Sequence, residues 1–295
     1  MPKRRRLEQS RVNYYAKRMT LPNRNAVLKA GIGVSLAFLL IGIAASPMTI
    51  PVYAQMETEA VLRSEGLFYA LFGRHLEVRL LAAHFVALAL ALYSLFAVAF
   101  IYFFFEKTQA PEILFVAFFA ISMAPETLRM TIPLGQVHEI PSLYLMIASR
   151  VVLFGRYFGV LSLFAASVHA AGYQSQRQGN AILLIVAAAL FIALSVPVDT
   201  QTWDSSLAML SGYASMFRLI EAGIGFITVA SFFVATLPRG SREFVFIGTG
   251  SALALLGRGI LLSADTWAGL PAGIVPLAIG TWLMCTRLHR IYLWL

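Results

Sequence analysis

The chain has little charge, almost no cysteine and few lysines, and each shortage removes a class of protein. Only 13% of its 295 residues are charged while 59% are hydrophobic, a balance outside the range of soluble domains. Cys285 is the single cysteine, which excludes an intrachain disulfide and a metal-thiolate cluster within one chain. The only lysines are Lys3, Lys17, Lys29 and Lys107. None falls inside a core apolar run, and a retinal Schiff base needs a buried one. No His-Glu-x-x-His occurs, and His75 and His84 have no second pair at metal-ligand spacing. Gly248-Thr-Gly-Ser251 has only the outline of a nucleophile turn, because Ala252 and Leu253 continue an apolar run. The carboxylate chain that a proton pump uses is also missing. No catalytic residue, metal site or cofactor is expected, and the chain reads as non-enzymatic.

What is present is long apolar stretches, with a mean hydropathy of +0.76. They run for about 20 residues without alternation, the length of a membrane-crossing helix rather than of a barrel strand. The expected fold class is all-α, a polytopic membrane helical bundle of eight spans. The first apolar run, Ala30 to Ala45, is broken by Pro47 and Pro51 and followed by Val52-Tyr-Ala54-Gln55, which has small residues where a signal peptidase reads. Residues 30–54 are therefore either a first span or a cleaved signal sequence. Residues 55–79 read as an amphipathic segment on the outer surface. A seven-helix core, residues 80–295, follows, with spans near Leu80–Phe105, Glu112–Ile132, Ser142–Gly172, Ala181–Val198, Ser205–Leu237, Phe244–Ser263 and Leu270–Leu288. The glycines and prolines spread through these spans serve close helix packing.

The formal charge of +9 belongs to one end of the chain. Residues 1–54 hold nine basic side chains against Glu8 alone, whereas residues 55–295 are nearly balanced. A basic cytoplasmic tail, residues 1–29, that sets orientation or touches anionic lipid explains this without nucleic acid. With that tail inside, Lys107, Arg177, Arg239, Arg242, Arg287 and Arg290 also fall inside, and only Arg63, Arg74 and Arg79 fall outside. The acidic loop Asp199–Asp204 and Asp265 face out. The expected location is the bacterial inner membrane, with a cytoplasmic carboxyl terminus. Trp203 and Trp267 then mark the outer interface, Trp282 and Trp294 the inner one.

Short marks in the core carry a resemblance: Leu92-Tyr-Ser-Leu95 in its first span, Arg150-Val-Val-Leu-Phe-Gly-Arg156 in its third, and Leu256-Gly-Arg258-Gly-Ile-Leu-Leu before the last span, which ends Arg287-Leu-His-Arg290. With its outside start, inside end and short loops, the core resembles the membrane module of bacterial seven-transmembrane receptors with diverse intracellular signalling modules. That family carries a folded domain ahead of the helices and an output module after them. Here about 25 residues stand in the first place and nothing follows Leu295 in the second. The resemblance thus implies a bare sensor core that signals through a separate cytoplasmic partner.

The charged groups inside the spans are the candidate ligand-binding residues: His84, Glu126, Arg129, Arg150, Arg156, Arg218, Glu221 and Arg258. Each charge costs roughly 2.5 to 3.5 kcal/mol at the centre of a membrane helix, so something must offset it. Glu126 with Arg129, and Arg218 with Glu221, are three apart and share a helix face. Arg150, Arg156 and Arg258 have no acidic neighbour in sequence, and the first two point about 120° apart. Five arginines against two glutamates leave a positive surplus. One reading is a structural network of arginine bonds to carboxylates and carbonyls. Another is an outward-facing pocket for an anionic or amphiphilic ligand, a small molecule or lipid headgroup; snorkelling to the interface is a third. His84 and His169 read first as hydrogen-bonded structural residues, and Phe103–Phe105 as a lipid-facing interface. The expected function is a sensor; a transporter or lipid translocase using the same arginines, and a structural subunit of a membrane complex, are the alternatives.

Overall fold

A computed structural model describes residues 20–61, 79–105, 110–137, 141–172, 178–239 and 241–293. The basic tail before Thr20, most of the expected amphipathic segment, and Arg63, Arg74, His75, Lys107, Arg177 and Trp294 lie outside the described residues. Among the described residues, eight helical spans are each long and apolar enough to traverse a bilayer. The chain is a multi-pass membrane protein of all-α class. Its helices are α1 (Leu21–Val61), α2 (Leu80–Phe104), α3 (Pro111–Ile121), α4 (Ile132–Val137), α5 (Ser142–Ala170), α6 (Gln178–Ser195), α7 (Ala214–Val234), the short α8 (Thr236–Arg239), α9 (Glu243–Leu262) and α10 (Gly269–Leu293).

Helix α1 overturns the expected break at Pro47 and Pro51, since 41 residues run helically through both prolines. Proline removes a backbone donor, here the helical partners of Ile43 O and Pro47 O, a loss that helices inside a membrane bundle tolerate. Beside the prolines, Ser46 Oγ donates back to Gly42 O at 2.9 Å and Thr49 Oγ1 to Ala45 O at 3.2 Å. The boundaries expected at 29/30 and 54/55 therefore fall within one helix, and the Ala54–Gln55 bond is seven residues from its end. One side of α1 is built into the bundle: Leu28, Ser35, Thr49 and Tyr53 are fully buried. Ser35 and Ser94 share a hydrogen bond of 2.8 Å with α2, and Tyr53 donates to Met130 O at 2.6 Å.

The third span is the centre of the molecule and is not one helix. Apart from Glu112 in its first turn, helix α3 is apolar, and it is buried on all sides, as a central helix must be. It gives way to a 3-10 segment, Ala124–Thr131, with Pro125 at its start, and only then to α4. Irregular backbone at membrane depth is tolerated where protein surrounds it, and Ala124, Pro125, Thr127, Met130 and Thr131 are all buried. Helices α1, α2 and α5 pack around this break. At Gly155 and Gly159 of α5 a Cβ would collide with Ser122, so glycine there lets α5 lie directly against the end of α3.

The expected span Ser205–Leu237 is also corrected, because α7 begins only at Ala214. The residues before it form an antiparallel hairpin, β1 (Val198–Trp203) with β2 (Met209–Ser211), capping one end of the bundle. Asp204 nucleates the turn by accepting from Ser206 N–H, Ser206 Oγ and Ala208 N–H through Oδ1. Leu207 is fully buried despite a φ of 65° and packs with Tyr53 and Ala83, which plugs the hairpin into the bundle. At the base of the hairpin, Thr202 Oγ1 and Gln201 N–H donate to Asp199 and hold its carboxyl below the usual carboxylate range. An even number of spans puts Thr20 and Leu293 on the face opposite the hairpin. On that terminal face Arg287 and Arg290 of α10 grip Glu243 of α9 at 3.0 and 3.3 Å.

Candidate functional site

The break in the third span sets up the ionic site. A 3-10 helix brings residues three apart onto one line, and Arg129 Nε lies 2.7 Å from Glu126 Oε2 with both side chains 1% exposed. Arg156 of α5 reaches the same carboxylate with two parallel bonds, Nε to Oε1 at 2.8 Å and Nη2 to Oε2 at 3.1 Å. This bidentate geometry is the strongest form of an arginine-carboxylate contact. One carboxylate thus serves two guanidiniums. Arg129 Nη1 donates to Ser206 O of the hairpin turn at 3.1 Å and to Leu262 O at the end of α9 at 3.0 Å.

Arg258 of α9 joins from the other side. Its Nη1 pairs with Glu221 of α7, and its Nη2 donates to the Arg156 carbonyl at 2.8 Å. The acidic partner of Arg258, absent nearby in sequence, comes from a helix 37 positions away. The expected Arg218–Glu221 pairing is corrected: Arg218 is exposed on the second turn of α7, close to the hairpin face, while Glu221 turns inward to α9. A long side chain so placed reaches the interface by snorkelling. Glu221→Gln is expected to cost about 1 to 2 kcal/mol, less than a fully buried pair because Glu221 is 25% exposed. Adding Arg258→Gln should recover part of the loss, and adding Arg218→Gln should recover none. Melting curves of the three variants in detergent decide between the two partners.

Arg150 stands apart from this cluster. Its Nη1 donates to Ala193 O and Val196 O at the end of α6, where unpaired carbonyls and the negative end of the helix dipole both favour a cation. His84 stands apart too, fully buried between α1 and α2. Ser46 Oγ is 3.1 Å from its Nε2 and Thr49 Oγ1 is 3.3 Å from its Nδ1, with Tyr53 and Phe85 packed edge-on. It is a structural histidine. Of the eight candidates, the fold brings together Glu126, Arg129, Arg156, Glu221 and Arg258 and sets Arg150, Arg218 and His84 elsewhere. Among the described residues no cluster of three His, Cys, Asp or Glu side chains suits a metal.

A cavity of about 40 Å³ lies beside the cluster, under the hairpin. Arg129, Ser149, Arg156 and Ser211 supply its polar wall, and Ile132, Val152 and Met209 are among its apolar residues. Arg129 Nη2 and Ser149 Oγ are buried and have no hydrogen-bond partner among the described residues. Comparisons with protein-family models, curated proteins and solved structures return no match. The chemistry of the site therefore has to come from its own geometry.

Ser149, Ser211 and the hairpin were not expected as parts of the site. Ser149 sits next to Arg150 in an otherwise apolar stretch, and that adjacency is the only trace it leaves. The hairpin is masked because Leu207, Met209 and Leu210 extend the apolar run of α7 toward its amino terminus. Asp204-Ser-Ser is the turn signal that could have revealed it.

Proposed function

We propose that this protein is a non-catalytic membrane sensor that binds an anionic ligand at the hairpin end of its bundle and relays occupancy to a partner on the terminal face. The observation that carries the reading is the cavity under the hairpin, whose wall holds two guanidiniums balanced by one buried carboxylate. The connectivity of Arg129 supports relay as well as binding. Its guanidinium touches the hairpin at Ser206, the end of α9 at Leu262, and, through Glu126, Arg156 of α5. A ligand on that guanidinium would have differential contact with any arrangement that moves these elements, which is what a population shift requires. The resemblance of residues 80–295 to bacterial seven-transmembrane receptor modules points the same way, as does a basic terminal face suited to the cytoplasm.

A transporter is the second reading, favoured by the broken third span, because discontinuous helices often carry the binding site of secondary transporters. Thermal unfolding of the purified protein in detergent, in a gluconate background, tests the sensor reading. Added formate, nitrate, sulfate, phosphate and anionic lipid form the panel. Saturating ligand at a hundredfold excess over Kd stabilises by about 2.7 kcal/mol, enough to read as a shift in Tm. At least one class of anion is expected to produce it; no shift with any of them overturns the reading. Flux of the stabilising anion across proteoliposomes would favour the transporter instead.

A further inference from the structure

We infer that Arg150 binds the phosphodiester of a phospholipid whose chain lies in the groove between α6 and α7, a site separate from the cavity under the hairpin. Charge comes first. Within the ionic cluster, Arg129, Arg156 and Arg258 are matched by Glu126, by Glu221 and by Asp204, which acts on the first two arginines. Arg150 has carbonyl partners only, and the end of a helix offers it no more than a partial counter-charge. Donor geometry comes second. With Nη1 fixed by Ala193 O and Val196 O, Arg150 keeps Nε and Nη2 without a partner among the described residues. These two atoms form the edge with which Arg156 grips both oxygens of Glu126, and the same fork fits a phosphodiester. Unlike Arg129 Nη2, neither is sealed inside the protein, and the residue is half-buried. Arg150 is thus held in place by α6 and open to a ligand.

Position comes third. Helix α6 ends at Ser195, so a guanidinium at the Val196 carbonyl lies where the span leaves the hydrocarbon, close to the depth of lipid phosphate. From there Phe154, Tyr157 and Leu161 continue along one face of α5 at helical spacing. Helices α6 and α7 each pack along α5 but scarcely on each other. That face of α5 is therefore the floor of a groove, flanked by Ile192 of α6 and Phe217 of α7. An acyl chain fills such a groove, whereas a free phosphate ion gains nothing from it.

The test uses the full-length protein, stripped of lipid in detergent and given phosphatidylglycerol, diacylglycerol with the same chains, or inorganic phosphate. Bound molecules are counted by native mass spectrometry. Phosphatidylglycerol is expected to fill one saturable site, and diacylglycerol and phosphate are expected not to be retained. Arg150→Gln, which keeps an amide donor for the end of α6, should weaken that site at least about tenfold through the loss of hydrogen bonds to a charged group. Arg218→Gln should bind as the parent does, because Arg218 stands among exposed residues of α7. Equal retention of diacylglycerol by the parent, the mark of an unspecific lipid coat, overturns the inference, as does inorganic phosphate bound in the lipid's place. Equal losses from the two replacements, or an Arg150→Gln protein with parental affinity, overturn it as well. The parent's choice among the three molecules decides the matter even if Arg150→Gln fails to fold. Because Arg150 is no part of the cavity wall, failure here leaves the sensor reading standing, and failure of that reading leaves the lipid site standing.

Discussion

Glu126→Gln should be the most damaging of the conservative replacements in the ionic cluster. The carboxylate is 1% exposed and is the counter-charge for both Arg129 and Arg156. Its amide can accept from one guanidinium but cannot neutralise either. Two cations would then face each other in a site from which water is largely excluded. Breaking a buried pair by removing one partner costs roughly 3 to 5 kcal/mol, and here one substitution strips two. The folded yield from membranes should fall sharply, and any protein recovered should melt well below the parent. Replacing a buried pair together is far milder than breaking it, so Glu126→Leu with Arg156→Met should recover much of the loss while keeping the same net charge at the site. The two melting curves are the check. A Glu126→Gln protein as stable as the parent would mean that the carboxylate is protonated or hydrated, and that the cluster does not hold α5 to the third span.

The contrast between two pairs shows how far local spacing could be read. Glu126 with Arg129 and Arg218 with Glu221 have the same separation, and only the first forms an ion pair. The first lies on a 3-10 segment enclosed on all sides, where the partners have no other medium to turn to. The second lies on α7, whose apolar window is only 11% buried, so Arg218 can leave for the interface while Glu221 meets Arg258. The eight spans were legible because each is a long unalternating run. The break in the third was hidden because the apolar run resumes on both sides of Pro125, and proline also occurs inside intact membrane helices such as α1. The surplus of arginine over glutamate was legible as a sum, but its disposal was not. Arg150 is satisfied by the carbonyls of Ala193 and Val196, groups that every residue carries and that no pattern of side chains reveals. The cavity was equally hidden, since it forms where a hairpin, a broken helix and α5 meet in three dimensions.

Gly257→Ala should separate the two most closely packed helices of the bundle, although it adds a single methyl group. Helices α9 and α10 meet through glycine: a Cβ at Gly257 would stand 2.5 Å from both Gly273 O and Leu277 N. Those are backbone atoms, so no rotamer change can make room and α10 must move as a body. Overpacking of this kind costs typically 1 to 3 kcal/mol, and the upper part of that range applies where the obstacle cannot rotate away. The displacement also bears on the site, because Arg258, the residue next to Gly257, holds Glu221 and the Arg156 carbonyl, and Leu262 at the end of the same helix receives Arg129. Gly259→Ala supplies the control. It lies two residues further along α9 with open space around its Cα, and alanine is the better helix former by up to about 1 kcal/mol. The expected result is a Gly257→Ala protein that melts well below the parent, beside a Gly259→Ala protein that melts at or slightly above it. Equal melting temperatures for the two variants would show that α10 does not pack against α9 at Gly257, and the positions of Arg258 and Leu262 around the cluster would fall with that contact.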